Sequence, residues 1–116
     1  MNSAKHPLNV RVERDEGREN VRIFLRGELD VSTAPGLLVQ LQQLHALGVS
    51  EIAVDMSELE FIDSTGLSLL VTMHKRARDE KARFVLISPS PQFLSVVQLT
   101  CLNDFFDFEG AATASI

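Results

Sequence analysis

The chain has 116 residues, which is enough for one domain and too few for two. Apolar residues make up 45% of it and charged residues 23%, with a formal net charge of −5, which excludes a disordered or fibrous chain and argues against bulk electrostatic binding of nucleic acid. No stretch approaches the roughly 20 apolar residues that cross a bilayer, and the N-terminus lacks a basic-then-apolar signal segment, so we expect a cytoplasmic protein without membrane contact.

Two segments of alternating polarity predict an antiparallel hairpin at the start of the chain. Every second residue in each is apolar, as expected of strands with one solvated face. The polar residues 15–20 between them include a glycine and predict the hairpin loop, and Gly27-Glu28-Leu29-Asp30 is expected to end the second strand. The alternating apolar residues are Leu8, Val10 and Val12 in the first strand and Val21, Ile23 and Leu25 in the second.

A leucine stripe after the hairpin predicts the first helix. Ser32 or Thr33 can cap its N-terminus, and Pro35 suits the first turn, where its missing N–H costs nothing. Gly48 follows the last leucine, where a left-handed helix end is expected. The stripe has the spacing of a helix that lies on a sheet and comprises Leu37, Leu38, Leu41, Leu44 and Leu47.

Strands and helices alternate in the rest of the chain. Residues 52–54 predict a short strand, and the polar residues 55–58 are expected to form the loop that follows it. Residues 84–87 predict a strand covered on both faces. Ser90 and Pro91 have the pattern of a helix start. The predicted helix between these two strands has one apolar face, which contains Gly66, Leu67, Leu70, Met73, His74 and Ala77.

The resulting order, β-β-α-β-α-β-α-β, predicts the fold class. It ends with a short strand over residues 105–108. We expect an α/β fold with a mixed, mostly parallel sheet of about five strands, which opens with an antiparallel hairpin and carries its helices mainly on one side. Residues 1–116 are predicted to form a single domain with its core over 8–108 and a short flexible tail over 110–116.

The loop from Phe61 to Leu67 carries the strongest chemical signal, because it places the hydroxyls of Ser64 and Thr65 at the start of a helix. Free backbone N–H groups and the helix dipole favour an anion there by roughly 0.3–1 kcal/mol. Asp63 or Ser64 can equally act only as a helix cap, which contributes about 1 kcal/mol. The two interpretations are compatible, since a capping serine remains exposed at the tip of its loop.

Four segments together match a known domain pattern. They are Asp63-Ser64-Thr65-Gly66-Leu67, Gly27-Glu28-Leu29-Asp30, Ser88-Pro89-Ser90-Pro91 and Leu99-Thr100-Cys101-Leu102. The first resembles the phosphorylation motif of STAS domains, specifically the free-standing bacterial anti-sigma factor antagonists, also called anti-anti-sigma factors. The second resembles that family's first conserved loop, and the last two its segments before and after the third helix. The likeness is collinear over about residues 8–108.

The resemblance implies a regulatory binding protein with no enzymatic activity, cofactor or metal, as a monomer or weak dimer. Family members bind an anti-sigma factor that is also a serine kinase with a GHKL-type ATP site, and so release a sigma factor. Phosphorylation of the motif serine, here Ser64, breaks the complex, and a PP2C-type phosphatase restores it. The implied partner-binding residues are Asp30, Ser32, Thr33, Asp63, Ser64, Thr65, Gly66 and Leu67.

Charge alone explains how such a switch would work. A phosphate adds about −1.5 to −2 charges at neutral pH. The helix N-terminus tolerates this charge within the folded domain, whereas Asp63, and Asp30 if it lies nearby in space, would repel it. At an interface shaped for a neutral hydroxyl the dianion must also lose water, so binding is lost while folding is kept.

Three alternatives stay open. Thr65 is a second potential phosphate acceptor beside Ser64. A serine hydrolase that uses Ser64, His74 and Asp63 is disfavoured, because the sequence lacks a G-x-S-x-G motif and His74 follows about ten residues along the same helix. A scaffold or stress-complex STAS module without a direct sigma-factor role would have the same fold.

The remaining reactive side chains predict structural roles. Cys101 is the only cysteine, which excludes an internal disulfide, and we expect an inert, buried or half-buried thiol. Because Cys101 also stands where the family commonly has a glycine, Asn103 is expected to take over the left-handed helix end. His6, His45 and His74 lack the spacing of metal ligands, and His74 is expected to be partly buried.

Overall fold

A computed structural model describes residues 7–15 and 19–110 of the chain. Over these ranges the chain forms strands and helices in the predicted order, ββαβαβαβ. The strands are β1 (Asn9–Arg14), β2 (Asn20–Leu29), β3 (Glu51–Ile62), β4 (Arg83–Ile87) and β5 (Asp107–Glu109). The helices are α1 (Ala34–Ala46), α2 (Ser64–Asp79) and α3 (Pro91–Leu99).

The strands form one mixed sheet in the order β1-β2-β3-β4-β5. β1 and β2 pair antiparallel as the hairpin, and every later pair is parallel. Each parallel connection runs through a helix, as parallel strands require. The predicted fold class is confirmed. Residues 16–18 of the predicted hairpin loop and 111–116 of the predicted tail lie outside the described residues.

The hydrophobic core lies between the sheet and its helices. All three helices contribute buried side chains to one cluster with β2, β3 and β4, which places them on the same face of the sheet. A small second cluster of Ala53, Val85 and Ile87 lies on the other face. The predicted apolar face of α2 is buried along its whole length: Gly66, Leu67, Leu70, Met73, His74 and Ala77.

Two strands extend further than predicted. β2 continues through Gly27 to Leu29, and β3 continues from Glu51 to Ile62 instead of ending after residue 54. The two strands pair with each other along this extension, down to Leu29 opposite Ile62. Two register shifts interrupt the pairing, and Gly27 has a φ of 110° beside one of them. These irregularities break the period-two pattern that sequence reasoning depends on.

The extension forms a two-stranded ribbon beyond the rest of the sheet. β4 pairs with β3 only as far as Asp55 opposite Ile87. Past that point β3 has its hydrogen-bonded neighbour on the β2 side only, among the residues that the structure describes. The polar residues that suggested a loop at 55–58 therefore belong to a strand with an open edge, where such side chains are well tolerated.

The helix ends mostly follow the sequence signals. Pro35 lies in the first turn of α1, and Gly48 follows that helix with a φ of 79°. Ser90 caps α3, since its hydroxyl accepts a hydrogen bond from Phe93 N at 3.1 Å. Thr33 stands at the N-cap position of α1, but its hydroxyl makes no capping bond there.

Near the C-terminal end of the chain the predicted last strand is present but shifted, and two other expectations were wrong. The last strand spans Asp107–Glu109 instead of the predicted 105–108. Its pairing begins later because Phe106 is buried in the core. Cys101 itself adopts the left-handed conformation after α3, with a φ of 61°, and Asn103 is not among the non-glycine residues with positive φ. The Cys101 side chain is exposed, whereas a buried or half-buried thiol was expected.

His74 is a buried residue, as predicted, with 6% of its surface exposed. Its Nδ1 atom has no hydrogen-bond partner within residues 7–15 and 19–110. Burial is the main reason why the pKa of His74 lies below its usual value of 6.5, and the positive charge of Arg78 lowers it further. The negative charge of Asp107 and a hydrogen bond with the Phe84 backbone act in the opposite direction. The rings that surround the imidazole belong to Phe84, Phe105 and Phe106, with centroids 6.2, 4.8 and 5.7 Å away.

We therefore expect His74 to make folding sensitive to mild acid. Since the pKa is lower in the folded state, the stabilisation from neutral His74 is complete above pH 6.5 and declines as the pH falls below that value. Urea unfolding between pH 7 and about 5 should show a falling free energy of unfolding, with a shallower slope in His74→Phe. Equal slopes in the two proteins would contradict this assignment.

Candidate functional site

Two loops meet at the end of the β2–β3 ribbon. Parallel pairing brings the carboxyl ends of both strands to the same edge, so the loop over residues 30–33 before α1 lies beside the start of α2. Asp63 N donates to Leu29 O at 3.2 Å and continues the strand pairing into the loop. The topology thus brings together the two segments that the sequence resemblance had singled out.

Asp63 holds the two loops together with its carboxylate. Oδ1 accepts from Gly66 N at 2.9 Å, which makes Asp63 the N-cap of α2. Oδ2 accepts from Val31 N at 3.2 Å, across the gap to the other loop. Both carboxylate oxygens are therefore engaged with backbone N–H groups. The predicted cap is confirmed for Asp63, and the bond to Val31 was not anticipated.

Asp30 organises the first loop in a similar way. Its Oδ1 accepts from the Ser32 hydroxyl at 2.8 Å and from the backbone N–H groups of Ser32 and Thr33 at 3.0 and 3.1 Å. The Ser32 hydroxyl is the main reason why the pKa of Asp30 lies below its usual value, with the backbone bonds adding to it. The Thr33 hydroxyl donates to Glu28 O at 2.8 Å and secures the loop to β2. Asp30 is consequently ionised at neutral pH.

The predicted site residues differ in how far they reach solvent. Ser64 is the first residue of α2 and is exposed, as is Thr65 after it. In the other loop Ser32 is exposed, while Asp30 and Thr33 are half-buried, as is the cap Asp63. Gly66 and Leu67 are buried beneath the loop. The chemistry that the site offers to a partner is thus a neutral hydroxyl surface with carboxylates beside it.

Gly66 sets how closely α2 approaches β2. A Cβ atom on this residue would lie 2.8 Å from Leu29 O, from Leu29 Cγ and from Ile62 Cγ1. Real Cβ atoms do not approach other heavy atoms this closely, and the backbone oxygen cannot rotate away. A side chain at this position would therefore push the start of α2, and Ser64 with it, away from the ribbon.

Two exposed apolar side chains flank the site and were missed by sequence reasoning. Val31 is 68% exposed and Phe61 is 49% exposed. Val31 adjoins Asp63 through its backbone, and Phe61 precedes Asp63 by two residues. Their signal is weak in the sequence, because an apolar residue within a strand or loop is normally assigned to the core.

We expect Asp63→Ala to loosen both loops at once. The variant loses the cap on α2 and leaves the Gly66 and Val31 N–H groups without their acceptor, at a cost of about 1–2 kcal/mol in the free energy of unfolding. Asp63→Asn is the matched control, because its single amide oxygen can keep the cap but its NH₂ group cannot accept from Val31. Urea unfolding should show the highest free energy of unfolding for wild type, a lower one for Asp63→Asn and the lowest for Asp63→Ala. An Asp63→Ala variant as stable as wild type would contradict the bridging role.

The described ranges contain no group of three or more His, Cys, Asp or Glu residues placed to hold a metal ion. Their helices are also all too short or too polar to cross a membrane. His45 is a second buried histidine, whose Nδ1 lies 3.2 Å from Glu80 Oε1, and it is remote in sequence from both site loops. His6 lies outside the described residues.

Comparison with known proteins places this geometry in a family. The anti-sigma-B factor antagonist of Listeria monocytogenes is 26% identical over 103 residues, which cover 88% of this chain and 90% of that protein. A crystal structure of an anti-sigma factor antagonist from Mycobacterium paratuberculosis superposes with a TM-score of 0.77 at 26% identity, over 92% of each chain.

The Bacillus protein SpoIIAA, an anti-sigma factor antagonist, is similar to this chain in an unphosphorylated and in a phosphorylated form. The unphosphorylated form gives a TM-score of 0.71 at 26% identity, over 87% of this chain and 86% of SpoIIAA. The phosphorylated form gives 0.71 at 25% identity, over 91% and 96%. Residues 12–107 match the family described as "Mlab, STAS domain". The chain belongs to the STAS domain family.

Proposed function

We propose that this protein is an anti-sigma factor antagonist that is controlled by phosphorylation of Ser64. It sequesters an anti-sigma factor that is also a serine kinase of the GHKL type, and so releases a sigma factor. The observation that carries the proposal is the exposed hydroxyl of Ser64 at the start of α2, beside the loop over residues 30–33. Two kinds of comparison support the proposal: similar proteins are described as anti-sigma factor antagonists, and SpoIIAA has been solved in a phosphorylated form.

The arrangement around Ser64 suits a protein that receives a phosphate rather than one that catalyses a reaction. The carboxylate of Asp63 accepts from the backbone N–H groups of Gly66 and Val31, and among the described residues no hydrogen bond joins it to the Ser64 hydroxyl, as a general base would require. The bound kinase must supply the base and the ATP site. A PP2C-type phosphatase would then regenerate the binding form by removing the phosphate.

The buried position of His74 opposes the serine hydrolase alternative. Ser64 and His74 lie on the same helix ten residues apart, which separates them by roughly 15 Å along the helix axis. The imidazole is enclosed by phenylalanine rings on the core side of α2. General-base catalysis needs a separation within hydrogen-bond reach, so these two side chains do not form a catalytic pair.

A phosphorylation assay tests the proposal directly. The full chain is incubated with each GHKL-type anti-sigma kinase of the host genome and Mg-ATP, and its mass is measured. We expect one added phosphate with one kinase, its loss in Ser64→Ala, its retention in Thr65→Ala, and its removal by a PP2C-type phosphatase. Phosphate on Thr65 would overturn the assignment of Ser64. A persistent high-mass assembly in light scattering, without capture of any such kinase, would favour the scaffold alternative.

A further inference from the structure

A shallow groove runs between α1 and α2, directly beside the proposed phosphate acceptor. Its volume is about 270 Å³. Thr65, the neighbour of Ser64, lines one end of it, and Ala34, the neighbour of Thr33, lines the same end from α1. The groove therefore begins at the first turns of the two helices that follow the site loops. Its lining consists of Ala34, Pro35, Leu38, Thr65, Ser68, Leu69 and Thr72.

The residues that line the groove carry no formal charge, and Lys75 and Arg76, one helical turn after Thr72, are the first charges beyond it on α2. Between Asp30 and Glu51, a stretch that includes all of α1, the sequence has no Asp, Glu, Lys or Arg. The same is true between Asp63 and Lys75, which covers the first turns of α2. Val39 lies one helical turn after Pro35 and is 52% exposed. An apolar group can thus enter the groove without stripping water from a charged side chain of its lining, which would add to the cost of forming such a contact.

We infer that the groove between α1 and α2 seats an apolar side chain of the anti-sigma factor, as an uncharged anchor next to the phosphorylation switch. This inference rests on the proposed function and adds a second, independent contact to it. Small-molecule sites usually occupy about 300–1,000 Å³ in an enclosed pocket, so a shallow groove at the lower limit of that range suits a protruding side chain better. A second copy of this chain is a less suitable occupant, because each copy carries a net charge of −5.

The inference predicts how charges placed in the groove affect binding. Thr72 lines the groove on the exposed side of α2 and lies eight residues after Ser64, about 12 Å along the helix. Thr72→Glu and Thr72→Lys should each weaken capture of the anti-sigma kinase by about tenfold or more, since either charge must be desolvated against an apolar group. If the groove instead faces a charged partner surface, one sign weakens binding and the other strengthens it.

The matched controls are Gln98→Glu and Gln98→Lys. Gln98 is an exposed residue of α3, a helix that also lacks formal charge but does not line the groove. Binding is measured by calorimetry with the kinase identified in the phosphorylation assay, and circular dichroism checks that each variant unfolds near the wild-type temperature. Equal loss in the Thr72 and Gln98 variants would overturn the groove as a specific anchor.

The outcomes also separate this inference from the proposed function. If Ser64→Asp abolishes capture while both Thr72 variants bind like wild type, the switch stands and the groove anchor is overturned. If opposite charges at Thr72 have opposite effects, the uncharged contact is overturned. If the wild-type chain captures no anti-sigma kinase, the inference is overturned together with the function on which it rests.

Discussion

Ser64→Asp is expected to lower the affinity for the anti-sigma factor by about a hundredfold or more, which corresponds to about 2.7 kcal/mol. The new carboxylate would lie beside Asp63 and close to the loop that holds Asp30, and it would have to lose water against a surface that fits a hydroxyl. An unpaired charge buried at an interface costs several kcal/mol, so the expected loss of about 2.7 kcal/mol lies at the low end of that cost.

The same variant should remain folded. Ser64 is exposed at the first position of α2, where the helix dipole favours a negative charge by roughly 0.3–1 kcal/mol. Repulsion from Asp63 offsets this gain, so the free energy of unfolding should change by less than about 0.5 kcal/mol. Calorimetric titration and urea unfolding of the same samples separate the two effects. Wild-type affinity in Ser64→Asp would refute the charge switch, and Ser64→Ala controls for the loss of the hydroxyl.

Gly66→Val is expected to destabilise the domain by about 3 kcal/mol or more. Its Cβ would lie 2.8 Å from the Leu29 carbonyl oxygen, so either α2 or the end of β2 must move. Gly66→Ala should cost less, about 1–2 kcal/mol, because its Cβ makes the same clash but alanine lacks the two γ-methyl groups of valine and favours the helix more. Urea unfolding measures both variants.

Gly36→Ala is the matched control for these substitutions. Gly36 also lies in the first turns of a helix, but a Cβ there would meet no atom within 4 Å. The fold gains helix propensity without strain, so this variant should be more stable than wild type by about 0.5–1 kcal/mol. Stabilisation of similar size in Gly66→Ala would contradict the close approach of α2 to β2.

The architecture was predictable because most elements obey a single period. The apolar face of α2 repeats at helical spacing and lies entirely on one buried surface, so both its extent and its burial follow from the sequence. Ser90 and Pro91 mark the start of α3 through local hydrogen bonding and a fixed backbone angle, which need no tertiary partner.

The β2–β3 ribbon was not predicted because its residues are held in strands by their pairing with each other and not by a local sequence pattern. The register shifts near Gly27 break the alternation, and the polar residues from Asp55 onward resemble a loop until β2 is seen beside them. The exposed thiol of Cys101 was likewise unpredictable, since it depends on the left-handed backbone after α3 that this cysteine was expected to avoid.

The motif identified Ser64 and Asp63, but not how the two site loops are joined. Local reasoning finds a cap because its donor lies three residues along the chain. The bond from Val31 N to Asp63 spans 32 positions, and only the pairing of β2 with β3 brings these residues together. The groove between α1 and α2 was not predicted for the same reason, because its two walls come from helices that β3 separates in the sequence.

In the described part of the chain no hydrogen bond joins Ser64 to Asp63, and this has a consequence for how fast the proposed switch operates. Without a base hydrogen-bonded to it, the Ser64 hydroxyl keeps the low intrinsic reactivity of an ordinary alcohol. Under the proposed function, the half-life of each phosphorylation state would then depend on the turnover of the kinase and the phosphatase. In that scheme the affinity of this chain for the anti-sigma factor would determine how much sigma factor each state releases, and the two enzymes would determine for how long.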